Sequence, residues 1–561
     1  MNKENSKNIT LEEYENEFSY KKSKSNLNIE FNRVAFIFFV FLTISLIYSI
    51  QLLHLGSLKS SIKKVKPIIS KKNYRADIID INGNYLVKTV SSIDIGISPT
   101  EVIDQKKLLI NLKLIFPNKD YSEIKKKLNK KRFFNFEKKI SAKNYEKIML
   151  LGDKSIKPKE KLTRLYPQKN LFSHIIGQID DDNNGISGIE KSFDEELKEI
   201  KEPLRLTLDT DIQFLIRSEL LKFQKIFRAK GSAAILMNVN NGEIFSMVSL
   251  PDFNLNERET IEDVNYINRV TKGTYELGSV FKTFTIASGI NEGLIEPDTE
   301  FLDSKKSIKC GKNHRIGEYD DKIPSNLTVE QILIKSGNIG SVRIARRVGV
   351  EKHRSFLKSI GILDKINFDI EEVGRPQTID WYEGCKLETI SFGHGITTTI
   401  LQLAKGYSII VNGGYDIKPT LIKKSKDKKI KREKILKNDV SKKMNIILRK
   451  VVSEGTAKQV NVAGYQVGGK TGTAQQPINK EYSNIKINTL ASIFPSKNPK
   501  YVLIVMLESP KTASDYVYKY RDKEGSLKGS PYNTAGWTSV EAAGKIIERI
   551  GPILATKYVE N

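Results

Sequence analysis

Cysteine and histidine are scarce in this chain. Its 561 residues include two cysteines, Cys310 and Cys385, and five histidines. Two cysteines exclude a scaffold built on disulfides. Cys310 and His314 are too few donors for a zinc centre, so no metal is expected. The cysteines read as buried free thiols, with their pairing left open. Acidic residues are also in deficit: 66 Asp+Glu stand against 92 Lys+Arg, a net charge of +26. Much of the excess is lysine spread along the chain. It is densest in Lys125–Lys139, where Phe133, Phe134 and Phe136 are interleaved, and in Lys423–Lys443. Nucleic-acid binders interleave aromatics in this way, but dispersed lysine reads as solvated surface, and no nucleic-acid partner is expected. No internal repeat is present. No G-x-S-x-G occurs, which excludes a hydrolase of the nucleophile-elbow type. A hydrophobic fraction of 39% and an aromatic fraction of 9% exclude a wholly disordered chain.

One long apolar run is present. Val34–Ile50 is broken only by small polar residues, and Gln51–Leu55 extends it. At about 1.5 Å per residue the run spans roughly 26–33 Å, the thickness of a bilayer's hydrocarbon core. Leu52–Leu55 offers no small-residue cleavage site, so the run reads as an uncleaved anchor in the lipid bilayer. Residues 1–33 carry six basic and six acidic side chains, whereas Lys59, Lys63, Lys64, Lys66, Lys71, Lys72 and Arg75 follow the run. A literal charge count would leave the long C-terminal part in the cytoplasm. Long domains translocate largely regardless of charge, so orientation has to come from the chemistry.

At about 150 residues per domain, the length suggests three or four domain-sized units. Residues 56–200 read as short strands and loops. A hairpin is expected from Ile78–Ile81, the Asn82-Gly83 turn and Tyr85–Val87. Residues 103–160 alternate lysine-rich helical patterns with short apolar clusters. From about residue 205 the texture changes. Leu204–Leu208, Ala233–Met237, Ile244–Val248 and Tyr501–Leu507 read as strands, and Asp211–Phe227 as an amphipathic helix. Capping-box signals mark helix starts at Thr328/Gln331 and Thr399/Gln402. The mixture predicts a helical cluster packed on an antiparallel sheet.

Three elements can carry chemistry. In Tyr275–Lys282, Gly278 supplies an unusual turn and a helix is expected over Val280–Ile290. Ser279 and Lys282 then lie three residues apart on one face, where hydroxyl and amine can meet. A serine is a weak nucleophile and needs an adjacent base. A buried lysine near a second cation can be that base. In Lys335–Asn338, Ser336 and Asn338 sit on a bend between two helical patterns and can face one cleft. In Gly468–Thr473, Lys470, Thr471, Gly472 and Thr473 suit a strand that grips a carboxylate and accepts an extended peptide along its edge. Gly464–Thr471 also fits the phosphate-loop pattern. That loop must open a helix, and Gly472 and Pro477 follow too closely, so no nucleotide or other cofactor is expected.

Ser-x-x-Lys, Ser-x-Asn and Lys-Thr-Gly, in this order at 279, 336 and 470, are the pattern of the penicilloyl serine transferases. The chain resembles class B penicillin-binding proteins, most closely the division-specific septal transpeptidases of the FtsI type. The resemblance runs from about residue 75 to about residue 550. It includes Arg164–Pro167, Gly188–Lys191, Leu206–Asp209, Asn241–Ile244, Ser249–Phe253 and Gly393–Gly414. Asn338 and Ser249–Phe253 favour the septal over the elongation branch. Leu277 and Ala76 depart from the proline and glycine usual in the family.

The resemblance implies an α+β multidomain protein. A cytoplasmic tail (1–33) and a transmembrane helix (34–55) precede an elongated α/β pedestal, or dimerisation, domain (56–204). A penicillin-binding transpeptidase domain (205–555) of the serine β-lactamase-like fold completes it. The implied place is the bacterial inner membrane, single-pass, with the catalytic domain in the periplasm. The implied activity is a D,D-transpeptidase that cross-links peptidoglycan stem peptides ending in D-Ala–D-Ala and is trapped by β-lactam antibiotics. A septal glycosyltransferase and other division membrane proteins are the implied partners. Carried over, Ser279 is the acylated nucleophile and Lys282 its base. Ser336 and Asn338 handle the proton and the substrate amide. Lys470, Thr471, Gly472 and Thr473 bind the terminal carboxylate, and the N–H groups of Ser279 and Thr473 form the oxyanion hole. A β-lactamase would need a Glu-x-x-x-Asn element between 338 and 470, which is absent. An elongation enzyme and a non-catalytic division scaffold are the alternatives.

Overall fold

The computed structural model describes residues 27–57, 74–257, 263–311, 314–423, 432–478 and 481–558. The lysines that follow the apolar run, from Lys59 to Lys72, and part of Lys423–Lys443 lie outside them. Two units separate between Lys71 and Lys72. Among the described residues, the first holds the helix Leu27–Ser57. Its stretch Arg33–His54 is apolar enough to cross a membrane, and none of that stretch is buried against protein.

The second unit begins with a sheet. Tyr85–Ile97 and Ile156–Leu165 pair antiparallel from Lys88 opposite Leu165 to Ile97 opposite Ile156. Ile78 pairs with Val87 and Ile79 with Tyr85, as the Asn82-Gly83 turn predicts. The two long strands correct the expectation of short ones. Ile156–Leu165 is buried only at Ile156 and Arg164, so no alternation of apolar residues announces it. Its backbone pairing carries the element instead. Helices Gln105–Ile115, Tyr121–Asn129 and Ala142–Met149 start at the capping side chains of Asp104, Asp120 and Ser141. They close a small core of Ile95, Ile97, Leu108, Leu112, Ile124, Leu128, Phe136, Ile148 and Ile156.

A buried ionic cluster ties the base of this region together. Glu190 accepts from Arg75 Nε and, at 2.9 Å, from Arg164 Nε, and Arg75 also pairs with Asp194 at 2.7 Å. Two guanidinium groups and two carboxylates balance, as buried charge requires. Ala76 is buried, and its N–H donates to Leu197 O at 2.7 Å, so a methyl group is accommodated there.

The larger sheet has five antiparallel strands in the order Gly468–Ile478, Glu481–Phe494, Tyr501–Glu508, Gly231–Asn238, Ile244–Leu250. The last three are buried at almost every position, so both faces are covered. Helices Thr210–Ile226 and Ser539–Lys557 pack together and on the sheet, as does helix Ile400–Val411. Both expected capping boxes form, at Thr328 and Thr399. Gly468–Ile478 is a strand, which removes the phosphate loop.

Cys310 and Cys385 are joined in a disulfide, with Cα atoms 5.4 Å apart. This corrects the expectation of free thiols. The partners are separated by 75 positions. The hairpin of Ser307–Cys310 and His314–Gly317 brings Cys310 to the start of helix Lys386–Ile390. Only the tertiary fold makes them neighbours.

Candidate active site

Ser279 lies in a 3₁₀ turn, Gly278–Phe281, and Lys282 opens the α-helix Lys282–Asn291. The sequence pattern predicts a helix from Val280, and the extra 3₁₀ turn sharpens its consequence. With three residues per turn, positions i and i+3 eclipse, so Ser279 and Lys282 share a face. Gly278 has φ +62°, and a Cβ there would stand 2.9 Å from Thr473 O. A Cβ on Gly472 would stand 2.2 Å from Leu277 O. The Lys-Thr-Gly strand therefore lies directly against the serine turn, and glycine is required on both sides of the contact. Leu277, buried in place of proline, does not prevent the turn. Behind the turn, the Tyr407 hydroxyl donates to Val280 O at 2.9 Å.

Ser336 ends helix Val329–Lys335 in a left-handed conformation, φ 59° and ψ 39°. This costs a residue with a Cβ about 1 kcal/mol. It turns the hydroxyl to two amines: Ser336 Oγ accepts from Lys470 Nζ at 2.9 Å and from Lys282 Nζ at 3.3 Å. Lys282 also donates to the Ser336 backbone oxygen and, at 2.7 Å, to Asn338 Oδ1. Asn338 starts helix Asn338–Val348 and donates from Nδ2 to Gly317 O at 2.9 Å. Lys470 further donates to Thr471 O at 3.0 Å. Thr471 Oγ1 lies 2.8 Å from Thr456 Oγ1, and Thr473 Oγ1 accepts from Ala535 N at 3.0 Å.

The three motifs, read from positions up to 191 residues apart, thus converge on one serine hydroxyl. Burial dominates the electrostatics. Lys282 and Lys470 are fully buried. Desolvation pulls the Lys282 amine down to about 7, and the Glu318 carboxylate partly offsets it. Burial, and then the charge of Lys282, hold Lys470 well below the usual lysine range. Lys282 can therefore carry a free lone pair near neutral pH. The Lys470 amine is held by Ser336 and Thr471. Three further residues lie outside the assigned site residues. His394 is lowered to about 4 by burial and by Lys282. Glu276 accepts from Gly395 N at 3.0 Å. Glu318 accepts from the N–H groups of Asn338 and Ile339. Among the described residues no cluster of acidic, histidine or cysteine side chains could hold a metal.

The family model described as penicillin binding protein transpeptidase domain matches residues 232–524, over half of the chain. The chain belongs to this family. A second model, the penicillin-binding protein dimerisation domain, matches residues 70–211. Among curated relatives, the probable peptidoglycan D,D-transpeptidase FtsI of Caulobacter vibrioides is 28% identical over 502 residues, covering 86% of this chain and 82% of that protein. The stage V sporulation protein D of Bacillus subtilis is 27% identical, covering 78% and 74%. The apo crystal structure of penicillin binding protein 3 from Mycobacterium tuberculosis superposes with a TM-score of 0.64 at 20% identity, over 86% of this chain and 97% of that one. This class B penicillin-binding protein is of the FtsI type, a penicillin-binding serine transpeptidase of peptidoglycan. Its fold is one that binds stem peptides and β-lactams.

Proposed function

We propose that Ser279 is the nucleophile of a two-step D,D-transpeptidation and Lys282 its base. The observation that carries this reading is the Ser336 hydroxyl held between Lys470 and Lys282, of which Lys282 lies one helical turn from Ser279. Neutral Lys282 takes the Ser279 proton as Oγ attacks the D-Ala–D-Ala carbonyl. The N–H groups of Ser279 and Thr473 stabilise the oxyanion, each worth about 3–4 kcal/mol. Lys282 returns the proton through Ser336 to the departing D-alanine amine. Asn338 spends one amide hydrogen on Gly317 and presents the other to the substrate amide. Lys470, Thr471 and Thr473 bind the terminal carboxylate, with the Lys470 amine acting through Thr471, to whose carbonyl oxygen it donates, and Gly472 giving clearance. A stem-peptide amine then attacks the acyl-serine. Purified protein given a stem pentapeptide and a free D-amino acid should exchange the terminal D-alanine. Release of D-alanine without exchange would leave a carboxypeptidase or β-lactamase-like hydrolase instead.

The site also argues for its compartment. A disulfide between Cys310 and Cys385 suits an oxidising space, which supports a periplasmic transpeptidase domain hung from an inner-membrane helix. The charge count after the span is then overridden. We assign the pedestal to residues 56–204 and the transpeptidase domain to 205–555, and place the enzyme at the division septum with a glycosyltransferase and other membrane partners. Depletion should give filaments with unfinished septa. Rounded cells of normal septation would move the enzyme to the elongation branch.

A further inference from the structure

The hairpin of Ser307–Cys310 and His314–Gly317 ends in Glu318, a half-buried acid outside every motif of the site. Its Oε2 accepts from Asn338 N at 2.6 Å and its Oε1 from Ile339 N at 2.9 Å. These are first-turn N–H groups of helix Asn338–Val348, which have no partner inside the helix. A carboxylate there is stabilised by the helix dipole and by two charge-assisted hydrogen bonds. It also lies over Gly337, where an added Cβ would stand 3.6 Å from Oε1. The preceding residue, Gly317, receives the Asn338 side-chain amide at 2.9 Å.

The hairpin that presents Glu318 is held from two sides. Ile316 packs with Ile339, Val342 and Phe392, and Cys310 belongs to the same apolar cluster. Cys310 is also tied to Cys385 at the start of another helix. The carboxylate is thus a fixed point to which the Ser336–Asn338 bend is fastened. We propose that Glu318 is a positioning residue for acylation: it clamps the start of helix Asn338–Val348 so that Asn338 Oδ1 and Ser336 Oγ meet the Lys282 amine.

This rests on Lys282 being the base. The titratable groups around that amine are Glu318, Lys470 and His394, and Tyr319 and Asp320 flank Glu318. Of these, Glu318 supplies the negative charge that raises the Lys282 amine against burial. Removing that charge lowers the amine further, so Lys282 stays neutral to more acid pH. A structural prop would change the height of a pH profile. A charged clamp beside the base also moves its acid limb.

The test is the acylation rate of the full-length protein with a fluorescent penicillin, from about pH 5 to about pH 9. Glu318→Gln should lower the plateau about tenfold and move the acid limb by about one pH unit in the acid direction. Glu318→Asp keeps the charge and shortens the reach, so it should lower the plateau and leave the limb in place. A Glu318→Gln profile that superimposes on wild type overturns the proposal. So does a lowered plateau with an unmoved limb. If the Gln variant does not fold, the Asp variant decides, and a wild-type plateau there overturns the clamp. The two readings fail separately, because unchanged acylation in Lys282→Ala removes the base without touching the clamp.

Discussion

Ser279→Ala should abolish covalent labelling by a fluorescent penicillin. The acyl bond has no other oxygen to form on in the proposed mechanism, so the loss is at least about 10⁴-fold, as expected when a covalent nucleophile is removed. The protein should remain folded. Ser279 is only half-buried in its turn, and a change of one hydroxyl there should move stability by about 0.5 kcal/mol or less. The neighbours that shape the turn are Gly278, Gly472 and Gly393, and none depends on the serine side chain. Non-covalent binding of the antibiotic should therefore survive. An adduct that persists, mapped by mass spectrometry to Ser336 or elsewhere, would contradict the assignment.

Lys282→Met should pull in two directions at once. Acylation should fall by about 10³-fold, within the range for loss of a general base. Thermal stability should rise, because an amine buried completely is an unfavourable guest. The amine titrates near 7 in the folded protein and at the ordinary lysine value of 10.5 when unfolded. Between those limits the unfolded chain binds the extra proton, so wild-type stability increases as pH rises from about 7. Below about 7 both states bind the proton and the full cost is felt. Every tenfold loss of proton affinity on folding corresponds to about 1.4 kcal/mol. Methionine forfeits the hydrogen bonds to Asn338 Oδ1 and Ser336, at about 1–3 kcal/mol for each partner stranded. The net gain should be about 1–2 kcal/mol, or a few degrees in Tm, and larger at pH 6 than at pH 9. A variant that acylates normally, or one that melts lower at pH 6 than wild type, would defeat the reading of Lys282 as a neutral, strained base. The trade of stability for activity is the signature of an amine kept out of water for its chemistry.

Local patterns make much of this protein legible. The anchor is legible because twenty-odd apolar residues have few other uses. The Asn82-Gly83 turn and the capping boxes at Thr328 and Thr399 are legible because their hydrogen bonds close within three or four residues. Ser279 and Lys282 form a pair for the same reason, being neighbours on one turn. Ile156–Leu165 escapes this kind of reading. Its lysines and glutamate face solvent, and its partner strand, not its own alternation, makes it extended.

The chemistry-bearing residues were therefore written in the chain, motif by motif, since each motif is a local backbone shape plus one or two side chains. Their joint meaning was a matter of the fold. Bringing Lys470 and Lys282 to one hydroxyl requires the left-handed turn at Ser336 and the glycine contacts of Gly278 and Gly472. Glu318, the Cys310–Cys385 bond and the Arg75–Glu190–Arg164 cluster have no local pattern at all. Each joins positions from about 20 to over 100 residues apart, where nothing short of packing selects the partner. A buried charge or thiol finds its partner only after the core has closed, because only then does leaving it alone become costly.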